Sequence, residues 1–382
     1  MKLVFASDSF KGSLSSVSIG DILEDEAKKR FPEAICVKLP IADGGEGTLE
    51  AISSMRDGER VSLAVHDGLM RSTTCEVFLC GDDAFVEAAS SCGLTMLAEE
   101  ERNPLLTSSY GVGECVCHAL DRGCKHVTVG LGGSCTNDGG TGFLRALGVR
   151  FFDAEGHELA GRGLDLERIA TIDVEGMHKG VASAAFTVMS DVSNPLLGPN
   201  GATCVFARQK GADDAMVERL EAGMVKYAKA VEMVFPGTDF STYGFGAAGG
   251  LGMALSVFMG ASIRPGIEEL LRCQGFDDII ADADLVVTGE GSLDSQSLQG
   301  KAISGVASHA HRQGVRVAAI CGKVNLPSDA LNAIGFDVVI EAGAGQTLRQ
   351  AMSHARENYI YAARKLFSID FGFGALGIPE GE

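Results

Sequence analysis

The sequence is short of positive charge. It carries 32 Lys and Arg against 51 Asp and Glu, a formal net charge of −19 over 382 residues. A surface this acidic repels phosphate backbones, so nucleic acid is not an expected partner. Proline is sparse, at 9, and shows no repeat; with 46% hydrophobic and 22% charged residues, collagen, coiled coil and disorder are excluded. No C-x-x-C occurs, and the nearest cysteines are Cys115 and Cys117. Eleven scattered cysteines predict buried thiols in a reducing cytoplasm rather than a disulfide framework. No signal peptide is visible, because the apolar stretch Leu3–Ala6 runs straight into Asp8. The one long uncharged segment, Tyr243–Ile263, holds six Gly and two Ser. It predicts a Gly-rich loop and a buried helix, not a membrane span.

Familiar motifs are also missing. No G-x-x-x-x-G-K-[ST] exists, so a P-loop is excluded by pattern. One G-x-G-x-x-G (Gly244, Gly246, Gly249) follows a polar turn instead of a strand. The other (Gly372, Gly374, Gly377) lies too near the C-terminus to open a βαβ unit. There is no H-E-x-x-H and no kinase H-R-D. His309 and His311 are two apart and would point to different faces of a helix, so they are expected at the surface.

What the chain has in excess is glycine: 50 residues, about 13% against a usual ~7%. The glycines punctuate a recurring pattern in which an apolar β-branched run leads into a polar loop and then a helical periodicity. The runs are Leu3–Ala6, His126–Leu131, Asp284–Thr288, Val315–Ile320 and Phe336–Ile340. Strands apolar on both faces, alternating with helices, predict a parallel sheet covered on both sides. Ile19, Ile22, Leu23, Ala27 and Phe31 trace the first helix, with Ser13 to Ser16 available as caps. Residues 61–90 alternate as half-buried strands do, and residues 149–210 hold short strands and turns. The length exceeds what one core usually serves, so the middle is expected to form a second, inserted α/β (α+β) unit.

In an open α/β sheet, ligands bind beyond the carboxyl ends of the strands. Five polar, Gly-rich segments are expected there. They are Asp8–Ser13, Ala42–Thr48, Gly132–Gly140, Ser190–Gly198 and Thr288–Ser297, the last ending on Gly300-Lys301. Carboxylates, ammonium groups and backbone N–H cradles, without a Ser–His or Cys–His arrangement, suit phosphoryl transfer through Mg²⁺, where catalysis is mostly positioning and charge neutralisation. The residues alone lead to a phosphate-handling α/β enzyme and no further.

The same segments carry a resemblance. Ser7-Asp-Ser-Phe-Lys-Gly-Ser-Leu-Ser15, Ala42-Asp-Gly-Gly-Glu-Gly-Thr48, Gly130-Leu-Gly-Gly-Ser-Cys-Thr-Asn-Asp-Gly-Gly140, Gln209-Lys-Gly-Ala212, Gly246–Gly252 and Thr288–Ser297 with Gly300-Lys301 keep the order they have in class I glycerate kinases, which the chain resembles over almost its whole length. The resemblance implies ATP- and Mg²⁺-dependent phosphorylation of D-glycerate to 2-phosphoglycerate, or to 3-phosphoglycerate as in some members. It also implies a flavodoxin-like parallel-sheet domain (1–60, 104–135, 265–382), an inserted second domain (61–103, 136–264) and an active-site cleft between them. The chain departs from the usual pattern at Phe206-Ala207-Arg208, Phe245 and Ser190 and lacks the usual Pro near Ile303–Ser304, and none of these removes a charged group.

Roles follow as expectations. Lys11 and Gly132, Gly133 and Ser134, with Asn137 and Asp138, would bind the substrate. Asp43, or next Asp191, would take the hydroxyl proton. Asp8, Asp191 and Asp294 would hold Mg²⁺. Gly289, Glu290, Gly291 and Asp294 would meet ATP, and Lys210 or Lys301 would neutralise the transferring phosphoryl group. The enzyme would be a cytoplasmic monomer or homodimer with no membrane partner. A kinase for another small hydroxy acid and a non-catalytic organic-acid sensor are the alternatives. A sensor has no use for so many acids.

Overall fold

The computed structural model describes residues 1–371 apart from 11, 43, 46, 296 and 298–301. Lys11, Asp43, Lys301 and the Gly372–Gly377 motif therefore lie outside the described residues. The main strands are β1 (Lys2–Ser7), β2 (Ile35–Lys38), β3 (Glu59–His66), β4 (Ser72–Cys80), β5 (Asp83–Glu87), β6 (His126–Gly130), β7 (Ala185–Met189), β8 (Ser262–Arg264), β9 (Leu285–Gly289), β10 (Arg316–Cys321) and β11 (Val338–Glu341). The helices used below are α1 (Ser16–Arg30), α2 (Tyr110–Asp121), α3 (Thr141–Ala146), α4 (Asp214–Val234), α5 (Gly266–Gln274), α6 (Ala302–Arg312) and α7 (Ala355–Phe367). The chain divides into two compact units, one made of Met1–Ala42 with Ile267–Glu382 and the other of Asp43–Gly266.

The first unit is a five-stranded, all-parallel sheet in the order β2-β1-β9-β10-β11. Counted within the unit this is 2-1-3-4-5, the flavodoxin order, with the direction of winding reversing between β1 and β9. One face buries Leu3, Phe5, Leu285, Val287, Ala318 and Ile320 against α1 and α7. α1 supplies Ile19, Ile22, Leu23 and Ala27 from the expected stripe. Each such Leu or Ile contributes about 1.5–3 kcal/mol through burial. Among the candidate caps Ser15 serves: its Oγ accepts the Ser18 N–H at 3.1 Å. On the other face Ile303 of α6 packs with Leu293, Ala319 and Cys321. His309 of α6, expected at the surface, is only 7% exposed. Its ring nitrogens meet Asp277 at 2.6 Å and Glu268 at 3.0 Å, and this satisfied pairing makes burial tolerable.

The second unit holds a mixed sheet in the order β8-β7-β6-β5-β4-β3, antiparallel from β3 to β5 and parallel from β5 to β8. α4, capped by Asp213 on the Met216 N–H at 2.8 Å, and the helix Leu251–Met259 bury their apolar faces in the same core. That nine-residue helix occupies the uncharged stretch noted above, and no helix among the described residues is long and apolar enough to cross a membrane. The unit border differs from the expected one at residues 43–60 and 104–135. β6 pairs on one side with β5 and on the other with β7, which binds 104–135 into the second unit. β6 reads like the other apolar parallel strands, and nothing local in it specifies which sheet it joins.

Candidate active site

In the first unit, the carboxyl ends of β1 and β9 meet where the strand order reverses, the position at which such sheets take ligands. The Asp8 N–H donates to Gly289 O at 2.9 Å, and the Asp8 carboxylate accepts the Ser9 N–H at 2.6 Å. The ends of the neighbouring strands are drawn in by backbone alone. Gly322 N–H donates to Glu290 O and Lys323 N–H to Gly291 O, each at 3.1 Å. Gly289 is required by this closeness: a Cβ there would stand 2.0 Å from Ile320 O. Asp294 follows the short pairing of Ser292–Leu293 with Lys323–Val324 and closes a turn in which Ser297 N–H donates to its carbonyl at 3.0 Å. Asp8, Gly289, Glu290 and Gly291 thus share one edge. Gly322 and Gly343 belong to it as well, Gly343 N–H donating to Gly322 O at 3.2 Å. Each follows the end of an apolar strand, a signal the sequence offers without a charged residue to mark its role.

In the second unit the site is built from glycine crossings at the carboxyl ends of β6 and β7. Gly132 N–H donates to Gly44 O at 3.2 Å, Leu131 N–H to Met189 O at 3.1 Å, and a Cβ on Gly132 would lie 2.5 Å from Gly45 Cα. The Glu87 carboxylate, at the end of β5, accepts the Leu49 N–H at 2.5 Å and ties the 44–48 segment to the sheet. Asp191 follows β7. It is exposed, and its Oδ1 accepts the N–H of Gly266, the first residue of α5, at 2.7 Å. Tyr243 stands near it: burial, and next the Asp191 charge, raise its phenol above the ordinary value. Asp8, Glu290 and Asp294 belong to one unit, and Gly132, Gly133, Ser134, Asp191 and Lys210 to the other.

Lys210, and Ser134, Asn137 and Asp138 of the 132–140 loop, all expected to touch ligands, are instead buried. Lys210 is 4% exposed, and its ammonium donates to Ser134 Oγ at 3.2 Å and Thr136 O at 2.7 Å. Asn137 is fully buried and donates to Thr203 Oγ1 at 3.1 Å. Asp138, also fully buried, accepts four hydrogen bonds from Ser109, Gly140 and Gly142. These groups shape the 132–140 loop from beneath, and the accessible part of the loop falls to Gly132 and Gly133. The two notable departures are unremarkable in place. Arg208 pairs on the surface with Asp214 at 2.8 Å, and Phe245 lies in the core.

A model of the glycerate kinase family matches residues 3–369. The glycerate kinase of Bacillus subtilis strain 168 is 39% identical over 96% of this chain and 97% of its own length. The glycerate 2-kinase of Escherichia coli K12 is 37% identical over 96% and 97%. The chain belongs to the glycerate kinase family. A crystal structure described as glycerate kinase 2 from Salmonella typhimurium LT2 agrees, with 41% identity, a TM-score of 0.85, and 96% and 97% of the two chains covered. As a glycerate kinase the chain is a phosphotransferase with an alcohol group as acceptor.

Burial draws the Lys210 ammonium down to about 8 from 10.5. Its two loop contacts are therefore charge-assisted at neutral pH and fall to roughly half their strength once the proton leaves. Kinase activity is expected to decline as pH rises through about 8, and Lys210→Met is expected to lose roughly 10- to 100-fold in kcat/KM and to lack that alkaline limb. Stability moves the other way. The unfolded chain keeps this proton to a higher pH than the folded one, so this group's contribution to stability rises between about 8 and 10.5. Initial rates across the alkaline range check this; an identical limb in Lys210→Met would assign it to another group.

Proposed function

We propose that this glycerate kinase uses ATP and Mg²⁺ to phosphorylate D-glycerate at the 2-hydroxyl, giving 2-phosphoglycerate. The observation that carries the reading is the pair of carboxyl-end edges, the first with half-buried Asp8, Glu290 and Asp294 and the second with exposed Asp191, each beside glycine loops packed backbone to backbone, in a chain whose relatives include a glycerate 2-kinase. In this reading the N–H groups of Gly132–Ser134, with Lys11, receive the substrate carboxylate. Asp43 or Asp191 accepts the proton of the attacking hydroxyl. The loops at Gly289–Gly291 take the triphosphate, and Lys301 offsets charge on the transferring group.

The donor set fits Mg²⁺: Asp8 and Asp294 are hard oxygen ligands on an edge that also serves phosphate, and the ion needs only one or two carboxylates because it keeps much of its water. When bound it supplies charge neutralisation at the phosphates. Among the described residues, Asp153, Glu155 and His157 bring ligand atoms within 4.8 Å of one another, but they have a different job. Asp153 accepts the Glu155 and His157 N–H groups and pairs with Arg168 at 2.7 Å, which makes it a turn with an ion pair.

The test is ADP release with D-glycerate, read by a coupled assay, with the product identified by ³¹P NMR. ADP formation that needs both D-glycerate and Mg²⁺, with a 2-phosphate product, is expected. A 3-phosphate product would move the hydroxyl, and turnover of a different hydroxy acid in place of glycerate would move the substrate.

A further inference from the structure

We propose that Arg102 binds the carboxylate of the acceptor substrate and thereby selects hydroxy acids over neutral polyols. The inference rests on the glycerate kinase reading and adds a residue to it. A substrate anion in a chain of net charge −19 needs a local cation. The glycine loop itself supplies none: 131–140 contains no Lys or Arg, and neither do 43–48, 88–101 and 190–201 around it. Lys210 reaches the loop from below, but it is buried and its ammonium is directed at Ser134 and Thr136. Arg71, Arg122, Arg168, Arg208 and Arg219 of the same unit are each paired with a carboxylate. Arg102 and Arg162 differ from these. Both are half-buried, and among the described residues neither guanidinium makes a hydrogen bond or an ion pair; the Nε of each is buried without a partner.

Arg102 belongs to a strap, residues 93–107, that is tied to the candidate substrate loop at both ends. At one end Gly93 bridges to Ser134, and the Leu94 N–H donates to Gly133 O at 2.8 Å. At the other, Thr107 Oγ1 donates to Cys135 O at 3.2 Å. Between these ties the Arg102 backbone passes against Gly211, so closely that a Cβ on Gly211 would stand 2.1 Å from Arg102 O and 2.7 Å from Arg102 Cβ. Gly211 takes φ +98° at this crossing, and its neighbour Lys210 is the residue bonded to Ser134 and Thr136. Strap and crossing together put Arg102 next to the loop whose accessible part is Gly132 and Gly133. Arg162 is placed otherwise. The preceding Gly161 crosses Gly142, beyond the far end of the loop, and the Arg162 N–H is capped by Asp165 at 3.1 Å. A guanidinium is a planar fork that matches a carboxylate with two parallel N–H bonds, a geometry an ammonium does not reproduce. Partly withdrawn from water and without an acid of its own, it attracts an anion more strongly than an exposed, paired one does.

The experiment compares wild type, Arg102→Ala, Arg102→Gln and Arg102→Lys, with Arg162→Ala as the control arginine. Each is assayed with D-glycerate and with the uncharged glyceramide, under saturating ATP and then with ATP varied. The expected result is a KM for D-glycerate raised about 10- to 100-fold in Arg102→Ala and Arg102→Gln and partly recovered in Arg102→Lys. The KM for ATP, the turnover of glyceramide and every constant of Arg162→Ala are expected to stay at wild-type values. Arg102→Gln keeps much of the apolar stem and drops the charge, so it decides the question if melting shows Arg102→Ala to be poorly folded. An unchanged KM for D-glycerate overturns the inference, and so does a rise shared by ATP or glyceramide, which marks a general disturbance of the strap. If the wild-type chain does not phosphorylate D-glycerate at all, the kinase reading fails and takes this assignment with it. Turnover by wild type with indifferent Arg102 variants removes Arg102 alone.

Discussion

Asp191→Asn is expected to lower kcat by about 100- to 10,000-fold without changing the melting temperature. The Asp191 side chain holds two separable jobs. Asp191 Oδ1 accepts the N–H of Gly266 at the start of α5, a capping bond that an asparagine Oδ1 can also make. What asparagine cannot do is carry the negative charge or take up the proton of an attacking hydroxyl. Asp191→Ala removes both, so it should lose the same activity and about 0.5–2 kcal/mol of stability besides. Steady-state kinetics and thermal melts on the two variants read the two jobs independently. Wild-type-like turnover in Asp191→Asn would leave Asp191 as a cap and hand the proton to Asp43, for which Asp43→Asn in the same series is the matching measurement.

Much of this site is legible in the sequence because the features that mark it are local. An apolar run that ends in Asp8 or in Gly289-Glu290 announces a parallel strand with its loop, and both are found at the edge where the winding reverses. Ser15 reads as a cap because its role depends on residues within one turn. Failures occur where the deciding partner is remote. Asp138 looks like a ligand in a polar, Gly-rich loop. Its environment is set by Ser109, twenty-nine residues upstream, and no spacing rule connects the two. Lys210 looks like a phosphate cation until it is found beneath a loop more than seventy residues earlier in the chain. His309 is buried by carboxylates on two other helical segments, Glu268 on α5 and Asp277 on the short helix Phe276–Ile280. The strand β6 carries a parallel-sheet pattern that fits either sheet, and only its pairing decides.

Asp138→Ala is expected to destabilise the second unit by about 3–5 kcal/mol, the largest stability loss we anticipate. Its Oδ2 accepts from Ser109 N–H and Ser109 Oγ, both at 2.8 Å, and from Gly142 N–H at 3.1 Å, while Oδ1 accepts from Gly140 N–H at 3.0 Å. Burial pushes this carboxyl above its ordinary value and the four donors pull it back. The donors belong to the start of α2 and the turn into α3, where backbone N–H groups have no helical acceptor of their own. Alanine strands all of them in a water-free site. Ser109 Oγ in turn accepts the Phe143 N–H at 3.0 Å, so losing Asp138 also frees the group that orients α3. Asp138→Asn keeps the volume but turns an N–H₂ toward groups that already donate, and should fall between wild type and alanine. Urea melts of Asp138→Ala, Ser109→Ala and the double variant measure the coupling, and the double variant is expected to lose less than the sum of the two because both single changes remove the bond between Ser109 Oγ and Asp138. The 132–140 loop hangs from this carboxylate, so kcat/KM should drop by more than the unfolded fraction explains. A loss below about 1 kcal/mol in Asp138→Ala would mean that water or a shifted backbone replaces the four bonds, and that this loop takes its shape from Lys210 and the glycine crossings alone.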